Sequence, residues 1–138
     1  MNKLSLVLLI CCSVAILADR PDWYPENETE IEMKCQEENS ISTETMNDIW
    51  AYKFDDTPEI RKLMLCLVER KNIYNKEMGF KADRLQIALT SRIKMDCKLE
   101  FVEKCGKEAK DITPADAMIF SIMKCIVAGM DENCKKVE

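Results

Sequence analysis

Between residues 57 and 70, TPEIRKLMLCLVER, Ile60, Leu63, Met64, Leu67 and Val68 form an apolar stripe, with Cys66 at its border. Steps of three and four put these positions on one face of a helix. Thr57 can cap that helix, and Pro58 suits its first position, where no backbone N–H is needed. A second stripe, Leu85, Ala88 and Leu89, predicts a helix over residues 82–93. Residues 113–128 open with the same signal, Thr113-Pro114, and carry Met118, Ile119, Phe120, Ile122, Met123, Ile126 and Val127. A helix apolar most of the way round is buried, so this one should be central. Gly129 reads as its stop, with Cys134 in the tail beyond. Weaker patterns predict helices over residues 26–38, from Ser42 to about Phe54 with Met46, Ile49 and Trp50, and over residues 95–110. Residues 19–25 read as an irregular arm and 72–79 as a loop. Three glycines, four prolines and no internal repeat complete an all-α reading: one compact domain of six helices.

The N-terminus changes the accounting. Lys3 precedes an apolar run from Leu4 to Leu17, and Ala18 precedes Asp19. This is the layout of a secretory signal peptide, residues 1–18, with Ala15 as the alternative cleavage point. The run falls short of the roughly 20 residues a membrane span needs. Cys11 and Cys12 leave with the signal, so eight cysteines become six. The remaining domain, residues 19–138, is 120 residues long, and its 19 basic and 25 acidic residues give a net charge of −6. An acidic chain lacks the basic patches that nucleic acids and anionic lipid surfaces require. The expectation is a secreted, extracellular protein with no membrane insertion. Asn27-Glu28-Thr29 is a formal glycosylation sequon.

The chain has no histidine. That removes the Ser-His-Asp and Cys-His constellations, most catalytic zinc sites and the histidine base of secreted phospholipases. It also removes the usual pH switch. The few glycines leave no phosphate-cradling loop. The reading is therefore no enzyme, no metal and no cofactor.

Six cysteines in a small secreted chain read as three disulfides, with fifteen possible connectivities by count. In the stretch MDCKLEFVEKC, Cys97 and Cys105 stand eight apart. On one helix they would lie about 12 Å apart, beyond the roughly 7 Å limit for a bridge. If the last two helices run antiparallel, Cys105 faces Cys125 and Cys97 faces Cys134. That arrangement requires a break at Gly129, because nine residues of continuous helix would put Cys125 and Cys134 on opposite faces. Cys35 and Cys66 remain as the third pair. Bridges of roughly 2–4 kcal/mol each make a shell that can tolerate an internal cavity.

With the cysteines placed, the chain resembles the insect odorant-binding proteins of the pheromone and general-odorant type. DIWAYKFDDTPEIRKLMLCLVER followed by GFKADRLQIAL is similar to that family's second-to-fourth helix region, and VEKC and IMKC to its fourth- and sixth-cysteine contexts. Cys35, Cys66, Cys105 and Cys125 match the family's first, third, fourth and sixth cysteines, which the family pairs first-to-third and fourth-to-sixth. The two cysteines that the family pairs with each other are replaced by Lys62 and Asp116, as in the reduced-cysteine ("C-minus") members. Cys97 and Cys134 lie outside the pattern and read as a substitute bridge. Lys62 and Asp116 could form an ion pair; alternatively Asp116 simply suits the first turn of its helix.

The resemblance implies a carrier of small hydrophobic ligands (odorants, pheromones or fatty acyl compounds) held in a cavity between the helices, with an olfactory receptor as a further candidate partner. The inward candidates for its lining are Met46, Trp50, Phe54, Met64, Leu67, Leu85, Leu89, Phe101, Met118, Ile119, Ile122 and Met123. The competing reading is a secreted interaction or scavenger protein on the same scaffold, of saliva or venom type, acting on a protein or a small amine. A large exposed apolar patch would mark it.

Overall fold

A computed structural model describes residues 20–138. The expected signal peptide lies outside the described residues. Among the described residues there are six helices: α1 Glu28–Glu38, α2 Thr43–Trp50, α3 Pro58–Arg70, α4 Ala82–Ile93, α5 Leu99–Ala109 and α6 Ala115–Asn133. Two small antiparallel pairs accompany them. β1 (Tyr74–Asn75) pairs with β2 (Gly79–Phe80), and β3 (Met95–Cys97) with β4 (Cys134–Lys136).

The local chemistry accounts for the starts of α2 and α3. The Ser42 hydroxyl accepts from the Thr45 N–H at 3.1 Å, and the Thr57 hydroxyl from the Ile60 N–H at 3.2 Å. Each satisfies one of the orphan donors of a helix N-terminus. The Thr113-Pro114 signal works differently. Pro114 is itself the N-cap of α6, and its ring makes no capping hydrogen bond. In the segment expected to be a bare loop, the Asn75 carboxamide oxygen accepts from the Met78 N–H at 2.6 Å. Gly79 follows at φ +75°, closing the β1–β2 turn in a conformation that favours glycine.

Helix α6 packs against both α3 and α5, α1 packs on α3, and α4 on α5. Ile119, Ile122 and Ile126 of α6 bury together with Leu63 of α3 and Val102 of α5. Cys35–Cys66 ties α1 to α3, Cys105–Cys125 ties α5 to α6, and Cys97–Cys134 ties β3 to β4.

Two expectations about the C-terminal half are corrected. Residues 95–97 are extended rather than helical. Lys94 ends α4 in the left-handed region at φ 58°, and the chain reverses into β3. The partner strand supplies the pairing: the Lys98 N–H donates to the Asn133 carbonyl and the Val137 N–H to the Lys94 carbonyl, both at 2.9 Å. By alternation, Cys97 and Cys134 form the close, non-hydrogen-bonded pair between those rungs, with Cα atoms 3.9 Å apart.

The second correction concerns Gly129, which does not stop α6; the helix runs four residues further, to Asn133. A Cβ at Gly129 would lie 2.6 Å from the Phe101 ring, so glycine here permits α5 and α6 to approach. The chain changes direction at Cys134 instead, and the Asn133 carboxamide N–H donates to the Gly129 carbonyl at 2.9 Å. Lys62 is exposed and makes no ion pair with Asp116, whose carboxylate accepts from the Ala117 N–H at 2.9 Å in the first turn of α6.

Candidate functional site

An apolar pocket of about 110 Å³ lies between α2, α3, α4 and α6. Its walls share one helical spacing. From α3 and the residue after it come Met64, Leu67, Val68 and Lys71; from α4, Leu85, Ala88, Leu89 and Arg92; from α6, Met123, Ile126, Val127 and Met130. Each set is i, i+3, i+4, i+7, the positions that stack along one helix face. Ile49 and Trp50 of α2 and Tyr52 and Phe54 of the following loop close the remaining side, with Ile73 and Ile93.

Seven of the twelve residues singled out in the sequence meet here: Trp50, Phe54, Met64, Leu67, Leu85, Leu89 and Met123. The other five are elsewhere. Ile119 and Ile122 are each 1% exposed and belong to the closed core of α6. Met46 is buried on α2, away from the pocket lining. Phe101 fills the space above Gly129, and Met118 packs half-buried near the start of α6. Apolar character alone does not separate core from pocket wall. Extending each stripe to i+7 adds Lys71, Arg92 and Met130; an apolar pattern leaves out the two charged residues, and a helix stop at Gly129 leaves out Met130.

Lys71 and Arg92 line an apolar pocket because Glu32 of α1 holds their charged ends. Lys71 Nζ donates to Glu32 Oε1 at 2.9 Å and to Glu28 Oε1 at 3.0 Å. Arg92 grips Glu32 with two bonds, Nε to Oε1 at 2.7 Å and Nη2 to Oε2 at 3.0 Å. The Tyr24 hydroxyl donates to Glu28 Oε1 at 2.7 Å. Glu32 is 8% and Lys71 5% exposed, so the centre of this network of two acids and two bases is buried, while Glu28 and Arg92 reach partly to the surface. The Arg92 guanidinium also lies 4.3 Å from the Trp50 ring centroid, a cation–π distance.

The ionisation of the network follows from these contacts. Burial pushes the Glu32 carboxyl up, but the bonds from Arg92 and Lys71 outweigh it and hold the group below the usual range. The bond to Glu32 raises Arg92 further. Burial, reinforced by Glu28, pushes the Tyr24 hydroxyl up to about 12. At the other end of the pocket, Phe54 packs edge-on against Phe120 with centroids 5.8 Å apart, and Lys124 Nζ lies 5.8 Å from the Phe54 ring.

Almost no polar atom faces the pocket. Among the described residues no cluster of side chains could hold a metal ion, and no helix is long and apolar enough to cross a membrane. What the arrangement can do chemically is exclude water from an apolar guest. The model of the PBP/GOBP family matches residues 23–128. The chain belongs to this family of insect odorant-binding proteins. Odorant-binding proteins of this family carry small hydrophobic ligands and are binding proteins rather than enzymes. The matched span contains every lining residue except Met130, while Cys134 and β4 lie beyond it. No curated protein and no solved structure matches the chain.

Proposed function

We propose that this odorant-binding family member, secreted after cleavage following Ala18, carries compact apolar molecules in the pocket between α2, α3, α4 and α6. The observation that carries the reading is the nearly unbroken apolar surface made by three matching helical stripes. Size favours small odorants over long acyl chains: the pocket holds about 110 Å³, against about 300–1,000 Å³ for ordinary ligand sites. Met64, Met123 and Met130 in the wall supply flexible side chains that can adjust to a guest.

The saliva- or venom-type alternative calls for a contiguous exposed apolar patch. The large hydrophobics exposed among the described residues are Met33, Tyr52 and Ile112, on three separate segments, which lends it no support. The test is titration of the oxidised chain, residues 19–138, with an apolar fluorescent probe. Saturable uptake, reversed by small volatile compounds, is the expected result. No uptake by a demonstrably helical protein would overturn the carrier reading.

A further inference from the structure

The charges on the pocket's lining residues are already matched, and that limits what can enter. Only Trp50, Tyr52, Lys71 and Arg92 among the lining residues carry a side-chain nitrogen or oxygen. Both cations are committed to Glu32, and Lys71 also to Glu28. Arg92 further lies against the Trp50 ring. Two carboxylates balance two cations, so the network offers a guest no net positive charge.

A guest carboxylate would lose its water in an apolar site and find no unmatched cation there; desolvating a charge without a partner is strongly unfavourable. A hydrocarbon or other neutral apolar molecule meets no such penalty. We infer that the pocket selects neutral ligands over carboxylates, and that Glu32 sets this selectivity as a positioning residue by holding the charged ends of Lys71 and Arg92 away from the guest.

This inference rests on the carrier reading and adds a ligand class to it. The test displaces the same apolar fluorescent probe at neutral pH with a compact cyclic hydrocarbon and with the carboxylic acid on the same carbon skeleton. The wild-type chain should release probe to the hydrocarbon at concentrations at least about tenfold lower than to the acid, a modest demand for a buried uncompensated charge. Glu32→Gln leaves Lys71 and Arg92 with one uncompensated positive charge. It should shift the acid-to-hydrocarbon ratio by about tenfold in favour of the acid. A merely structural role for Glu32 would weaken both compounds alike and leave the ratio unmoved.

Equal displacement by acid and hydrocarbon in the wild type, or an unmoved ratio in Glu32→Gln, overturns the selectivity. Should Glu32→Gln not fold, Lys71→Met supplies the converse: one cation fewer, and an acid disfavoured still more strongly than in the wild type. An unchanged ratio there overturns the inference equally. Failure of the folded wild type to take up probe at all is a distinct result that removes the carrier reading and this selectivity with it.

Discussion

Glu32 joins three segments that are far apart in the chain, with Lys71 39 and Arg92 60 residues away. Glu32→Ala leaves buried Lys71 with Glu28 alone and the partly exposed Arg92 without its carboxylate, and is expected to cost about 3 kcal/mol in chemical denaturation, the lower end of the range for breaking a buried pair. Loss of the exposed Glu30–Lys34 pair, one turn apart on α1, should leave stability essentially unchanged. The pH dependence has a definite sign. Because the folded state holds Glu32 below its ordinary value near 4.5, its contribution is fully present above that value and is lost as pH falls through the depressed one. Stability measured from pH 6 downward should therefore fall less steeply in Glu32→Gln than in the wild type; equal slopes would contradict the coupling. None of this network was legible in the sequence. A buried acid on α1 has the same local spacing as its solvated neighbours, and only the tertiary fold brings its partners to it.

At the scale of elements, the legible parts were those with a local cause. The caps at Ser42 and Thr57 and the stripes of α3 and α4 are written in side chains a turn apart. β3 was not legible, because three residues are too few to reveal a period of two and their hydrogen bonds come from residues 133–137. Gly129 carried a misleading signal. Glycine serves both as a helix stop and as a site of close approach, and only the position of Phe101 distinguishes them. Gly129→Ala should therefore destabilise by about 1–3 kcal/mol, although alanine in a helix interior is ordinarily favoured by about 1 kcal/mol. In a Phe101→Ala background the same substitution should become neutral or stabilising, and urea denaturation of the four proteins would reveal that reversal. The Cys97–Cys134 bridge closes a separation of 37 residues, for which loop entropy gives about 4 kcal/mol. Replacing both cysteines by serine should lower stability by about 2–4 kcal/mol and speed amide exchange in β3 and β4 first.

The whole molecule is held by three bridges, and by the resemblance one of them, Cys97–Cys134, lies outside the family pattern. Asp116 and Lys62 stand where the resemblance places the lost pair, and Cys97–Cys134 fastens the end of α6 to the start of α5 instead. α6 contributes Met123, Ile126, Val127 and Met130 to the pocket, so the bridge anchors the far end of a pocket wall. The fold class and seven of the pocket's eighteen lining residues were legible because both depend on apolar periodicity. The division between closed core and pocket wall was not, since Ile122 and Ile126 have the same character and only Ile126 reaches the cavity. The central claim is that apolar ligands occupy this pocket, and filling it tests that claim most directly. Ala88 is buried on the α4 wall, and Ala88→Phe would place a ring in the space. With helicity and disulfides intact, that variant should lose most of the wild type's saturable uptake of an apolar fluorescent probe. Undiminished uptake by a folded Ala88→Phe chain would mean that ligands bind elsewhere.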